Sequence, residues 1–198
     1  MNKNRLEAFS DGVFAIVITL LVLNIRIPDV EYKDLPDALI KILPKILSYV
    51  MSFAVIGLYW VAHHYYFEKI RRVNGTFVWL NMLVLLLVSF MPIPTYLLGE
   101  YPKGTIPLAI YGLNLVTTNM LGWFMIVYLH RHKELINEHF TEEFYKAIPK
   151  FYLSLNSLYI LGIIFAFINP IVSYSVYISV LMYAIYVFAS QMNKAKHQ

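Results

Sequence analysis

The sequence predicts an all-α fold, a polytopic membrane protein with six transmembrane helices. Three observations carry this. Of its 198 residues 59% are hydrophobic and only 14% charged, against roughly 45–50% and 25% in a soluble domain. The apolar residues fall into runs of about 20, the length that crosses a bilayer. Short charged stretches separate the runs, and none is long enough to form a soluble domain.

The first run, 6–25, is the odd one, because it contains Glu7, Ser10, Asp11 and Gly12. The other five, 46–67, 77–98, 105–129, 151–168 and 171–191, are plainly apolar. Residues 28–44 read as a polar loop or a short surface helix, 68–76 as a tight basic turn and 99–104 as another turn. Residues 130–150 form the longest and most charged connection, with room for a helix lying on the membrane surface. Asn169-Pro170 predicts a sharp turn before the last span, since proline restricts the residue before it. No internal repeat or low-complexity tract is visible, so residues 1–198 read as one six-helix domain.

Lysine and arginine set the orientation. Lys3, Arg5, Lys69, Arg71, Arg72, Arg131, Lys133, Lys146, Lys150, Lys194 and Lys196 fall on one side; Arg26, Lys33, Lys41, Lys45 and Lys103 fall on the other. The richer side is cytoplasmic, which puts both termini in the cytoplasm; an even number of spans likewise requires the termini to share a side. Lys3 and Arg5 before an apolar run resemble a signal peptide, but Asp11 interrupts the run and no small-x-small site follows Leu23. The basic excess therefore belongs to loops and implies no nucleic acid partner. The absence of cysteine excludes disulfides and thiolate metal sites.

Asp11 is the pointed feature. A charge within the bilayer costs at least about 2.5–3.5 kcal/mol on insertion scales, so it needs a partner or water. A later start near Val13, with Ser10 or Asp11 as N-cap, would remove the difficulty. It would also leave 13–25, too short to span comfortably. At about 100° per residue, Ile16, Leu20 and Leu23 share one stripe, Gly12 and Thr19 flank it, and Asp11 lies nearly opposite. One face suits a narrow apolar pore, while the carboxylate faces neighbouring helices. An apolar stripe alone more often means packing than a pore.

His63 and His64, at the end of the second span, are candidate partners for Asp11, candidate pH sensors, or interfacial histidines wetted by headgroups. His130, His132 and His139 lie in the charged connection with Glu134 and Glu138 but match no known metal-ligand pattern, so no metal or cofactor is expected. Trp60, Trp79, Trp123 and the tyrosines read as interfacial anchors or bundle packing. There is no arginine ladder and no phosphate-binding glycine loop.

Arg5-x-x-x-Phe9-Ser10-Asp11-Gly12-Val13-Phe14-Ala15-Ile16 resembles the opening of the transmembrane protein 175 family, the endosomal and lysosomal potassium channels and their bacterial relatives. Trp60-Val61-Ala62-His63-His64, Asn81 and Pro92-Ile93-Pro94-Thr95 continue the resemblance. It implies a bacterial six-helix member in the plasma membrane, assembled as a homotetramer with the first helices around a central pore. It implies that ions pass apolar side chains, here Ile16, Leu20 and Leu23 with Thr19 as a polar layer, rather than a ring of backbone carbonyls. The chain accordingly has no Thr-Val-Gly-Tyr-Gly. A polar network is implied at Arg5, Ser10, Asp11 and His63 or His64, with Asn81.

The expected function is thus a potassium-permeable channel and not an enzyme. The alternative is a proton-coupled secondary transporter using Asp11 and His63. Transporters typically carry internal repeats and helices broken at mid-membrane, and the sequence shows neither. A membrane enzyme using its histidines to hold metal is the third possibility.

Overall fold

The computed structural model describes residues 2–195, with side chains through 190. Lys196 of the orientation count lies outside the described residues, and Lys194 outside the described side chains. The architecture is helical: α1 Lys3–Leu20, α2 Leu35–Lys41, α3 Leu43–Phe67, α4 Gly75–Phe90, α5 Pro92–Glu100, α6 Thr105–Arg131, α7 Glu142–Ala166 and α8 Pro170–Ala195. A 3-10 turn, Leu21–Asn24, prolongs α1. Six of the resulting spans are long and apolar enough to cross a membrane, each with at least 21 residues among the described side chains. At 1.5 Å per residue that is about 31 Å, the thickness of a hydrocarbon core.

The helix starts are locally specified. Asn2 accepts from Asn4 N, Asn74 from Phe77 N and Thr141 from Phe144 N, so each caps the helix that follows. Prolines sit in the first turns of α2, α3 and α5, where the missing N–H costs nothing.

Two spans differ from their expected form. The fifth begins at Glu142, nine residues before 151, which shortens the preceding connection and leaves no separate surface helix. The Thr141 cap with Glu142 and Glu143 behind it starts the helix early, and Pro149 is carried inside it. The third span is interrupted at Met91, contrary to the unbroken helix expected. Pro92 and Pro94 each lack a backbone donor, so the ladder cannot run through. The 28–44 connection resolves into a 3-10 turn and the short helix α2.

Packing radiates from α6, whose span is the most buried of the six. It contacts α4, α5, α7 and α8, whereas α1 packs on α3 and α4 and its 3-10 extension touches α3 and α5. Helices α6 and α7 approach closely at Gly112 and Gly162, where an added Cβ would lie 2.3 Å from Tyr177 atoms. Tyr177 fills that slot and donates to Leu108 O at 3.0 Å.

On the end that holds the N-terminus, two turns are pinned together. Ile70 and Ile136 form an isolated antiparallel bridge. Arg71 N and Asn137 N donate across it to Leu135 O and Lys69 O, at 2.7 and 3.0 Å. Lys69 is buried there with its ammonium 3.5 Å from the Tyr65 ring centroid, and burial lowers its pKa.

Candidate functional site

Helix α1 has two faces. Leu6, Ser10, Phe14, Val17 and Leu21 are buried against the bundle. Ile16, Leu20 and Leu23 are 59%, 44% and 65% exposed, and Thr19 beside them is exposed too. The predicted stripe is thus left bare within one subunit. Thr19 Oγ1 lies 2.8 Å from Ile16 O and 3.1 Å from Ala15 O, and donates its single proton to these carbonyls. Its lone pairs remain available to a cation.

On the buried face the polar residues form a chain whose proton directions follow one from another. Ser10 Oγ donates to Leu6 O at 2.9 Å, which uses its only proton. Asn81 Nδ2 must therefore donate to Ser10 Oγ, which it does at 3.0 Å. That turns Asn81 Oδ1 toward His63 Nε2, 2.9 Å away. A carbonyl oxygen can only accept, so Nε2 carries the proton, and neutral His63 has a bare Nδ1. Ser10 and Asn81 are fully buried and His63 nearly so. The imidazole is stacked on Phe67 at 4.1 Å and meets the Phe14 edge at 5.5 Å, so its plane is fixed from both sides.

The rest of the predicted network lies elsewhere. Asp11 Oδ1 accepts from Trp60 Nε1 at 2.9 Å. Among the described residues none of Arg5, Ser10, His63, His64 and Asn81 donates to Asp11. His63 is the histidine of the buried chain. His64 faces outward between Glu7 and Glu68, at 3.7 and 3.6 Å, and stacks on Trp60. Arg5 is exposed and makes no ion pair among the described residues. Trp60 was read from sequence as an anchor. Its spacing of three from His63 and four from His64 is the signal that it shares their side of α3.

A second buried chain went unforeseen. Thr95 Oγ1 lies 2.7 Å from Ser52 Oγ and 2.8 Å from Met91 O, and Ser52 Oγ lies 3.3 Å from Tyr111 OH. It joins α3, α5 and α6 next to the break in the third span. Asn24 Nδ2 reaches Pro92 O at 3.5 Å, tying the far end of the first span to the same region. Pro92 and Thr95 mark the place in the sequence, but nothing there indicates that Ser52 and Tyr111 converge on it.

His130 at the end of α6 and His132 just beyond it are used locally. His130 stacks on Tyr145 at 3.5 Å and His132 Nδ1 lies 3.2 Å from Glu134 Oε1. Among the described residues no three His, Cys, Asp or Glu are grouped to hold a metal ion.

Comparison with known proteins identifies the family. Residues 5–92 match the family model described as "Endosomal/lysosomal potassium channel TMEM175". A potassium channel of Chryseobacterium sp. is 35% identical over 177 residues, which cover 89% of each chain. The mouse "Endosomal/lysosomal proton channel TMEM175" is 44% identical over 102 residues, 47% of this chain and 20% of that one. The crystal structure of a "lysosomal potassium-selective channel TMEM175 homolog" from Chamaesiphon minutus superposes with a TM-score of 0.79 at 35% identity. That superposition covers 96% of this chain and 98% of the other.

Proposed function

The chain belongs to the endosomal/lysosomal potassium channel TMEM175 family, and on that basis we propose that it is a potassium-permeable channel of four identical subunits with the α1 helices around the pore. The supporting observation is the bare stripe of Ile16, Leu20 and Leu23 on a first span whose helix α1 packs chiefly on α3 and α4. Three exposed branched side chains on one face suit lipid or a closed assembly equally. The buried Ser10–Asn81–His63 chain on the other face supports the reading that the stripe, and not the polar face, lines the pore.

In the tetramer each of the three residues forms a ring, and a potassium ion sheds part of its hydration shell to pass. Such apolar constrictions gate by dewetting. Thr19 supplies the oxygen layer, since its proton is held by the helix and its lone pairs are free for the ion. Discrimination then rests on pore width and partial dehydration rather than on carbonyl coordination.

The protein is a multi-pass membrane protein. The bilayer we assign is the bacterial plasma membrane, with both termini in the cytoplasm. The whole of 1–198 serves as one channel domain. Arg5, Asp11 and His64 stand apart from the pore stripe and act on α1 from its cytoplasmic end.

Single-channel recording in a planar bilayer tests the proposal. Discrete ohmic steps with a reversal potential favouring potassium over sodium are expected. Smooth, saturating, proton-driven flux without unitary steps would instead establish the transporter.

A further inference from the structure

A cavity of about 60 Å³ lies inside the subunit, behind the pore helix. Its walls include Phe14 of α1, His63 of α3, Val84 of α4 and Asn119 of α6. Most of the lining is apolar, but Tyr59, His63 and Asn119 are part of it, and each carries a buried polar atom with no hydrogen-bond partner among the described residues. These atoms are Tyr59 OH, His63 Nδ1 and Asn119 Nδ2. His63 and Asn119 are more than nine-tenths buried, so bulk solvent does not satisfy them.

Their chemistry is complementary. The proton directions derived above make His63 Nδ1 an acceptor. Asn119 Nδ2 is a donor, and the Tyr59 hydroxyl is both. The ligand that accepts from an amide, donates to an imidazole and exchanges with a phenol inside a small cavity is water. One water needs about 10–15 Å³ of such volume and two to four polar partners. The cavity holds several, and the partners are present. Left dry in a membrane-embedded bundle, each of the three polar atoms would carry the penalty of an unmade hydrogen bond.

We propose that this cavity is a structural water site. Its waters continue the chain from Leu6 O, Ser10, Asn81 and His63 across to Tyr59 and Asn119. The pore helix is thereby held, through water, by α6 as well as by α3 and α4. Asn119 and Tyr59 are positioning residues for α1, although neither touches it by a hydrogen bond. Only the effect on current depends on the channel reading; the water site itself does not.

The first test uses the unmodified tetramer. A high-resolution structure should show ordered density within hydrogen-bonding distance of His63 Nδ1 and Asn119 Nδ2. X-ray hydroxyl-radical labelling should mark Tyr59 and His63 rapidly despite their burial. An empty or apolar-filled cavity with both residues unlabelled would overturn the proposal. The second test is a cycle of Asn119→Leu and His63→Phe, read by thermal unfolding in detergent and by unitary current. Asn119→Leu should lower both in the wild-type background and have little further effect beside His63→Phe. Nitrogen NMR should show His63 Nδ1 losing its hydrogen bond in Asn119→Leu, a change that generic loosening of α6 does not produce. Additive effects, or an unchanged Nδ1 resonance, would refute the coupling even if the channel reading stands.

Discussion

Replacing Asn81 by alanine removes the middle of the buried chain, and its cost can be worked from the contacts. The bond to Ser10 is lost without stranding a donor, because the Ser10 proton stays on Leu6 O. That is worth about 0.5–1.5 kcal/mol. The bond to His63 is lost with Nε2–H left buried and unpaired, which costs about 1–3 kcal/mol. The sum is about 3 kcal/mol per subunit, or about 6–12 °C in midpoint for a chain of this size. Asp11→Ala loses one bond to Trp60, whose side chain is 41% exposed and can turn to water or headgroups. About 1 kcal/mol is then expected. Thermal unfolding of the detergent-solubilised protein, monitored by size-exclusion chromatography, compares the two variants directly. If Asp11→Ala costs more than Asn81→Ala, or if Asn81→Ala is as stable as wild type, the assignment of Ser10–Asn81–His63 as the lock on α1 fails.

The remaining predictions use the same structure. Leu23→Ala should widen the constriction, raising unitary conductance or lowering potassium-over-sodium selectivity; unchanged currents in alanine variants at Ile16, Leu20 and Leu23 would remove the stripe from the pore. Gly162→Ala places a methyl 2.3 Å from Tyr177 Cε1, so overpacking of about 1–3 kcal/mol should lower the unfolding midpoint, and Tyr177→Leu should relieve part of the loss. Glu134 is exposed, and its carboxylate pKa is lowered chiefly by a backbone hydrogen bond, with His132 assisting. Its contribution should be complete above the ordinary glutamate range and lost as pH falls through the lowered value, which NMR titration of Glu134 would follow.

Span number was legible in the sequence because the bilayer imposes it: 20 apolar residues in a row have few other uses. The faces of α1 were legible for a related reason. Helical geometry separated Ile16, Leu20 and Leu23 from Asp11, and the structure leaves that stripe exposed while burying Ser10, Phe14 and Val17. What periodicity could not supply was partnership between helices. Ser10 and Asp11 are neighbours in sequence and both polar, yet one meets Asn81 and the other Trp60. His63 and His64 likewise differ by one step around α3, and that step decides burial. The interruption at Met91 was signalled by two nearby prolines, but hydropathy is blind to a missing backbone donor. The early start of α7 was hidden because Glu142, Glu143, Lys146 and Lys150 read as a loop, whereas they form a helical turn beyond the apolar core.

The seat of α1 also explains why a membrane channel uses neutral polar groups in its interior. In lipid, apolar contact scarcely distinguishes one rotation of a helix from another, because tails and leucine side chains are alike. Leu6, Phe14, Val17 and Leu21 therefore hold α1 against α3 and α4 without fixing its rotation sharply. Ser10 does fix it, since turning the helix by one residue, about 100°, would carry the hydroxyl away from Asn81. The same turn would carry Ile16 and Leu20 off the stripe. From Ser10 to Ile16 is six residues, about 9 Å along the axis, so the rotation set at the hydrogen bond is transmitted rigidly to the exposed Ile16–Leu23 stripe. A neutral chain does this without the desolvation penalty of a buried ion pair. The ionisable groups Glu7, Asp11 and His64 lie outside this buried chain, half-buried or exposed in the subunit. On this account Ser10→Ala should degrade selectivity more than Asp11→Asn does, because only the former frees the rotation of the pore-lining face. Bi-ionic reversal potentials of the two variants measure the difference, and equal or reversed effects would show that the rotation is fixed by contacts between subunits instead.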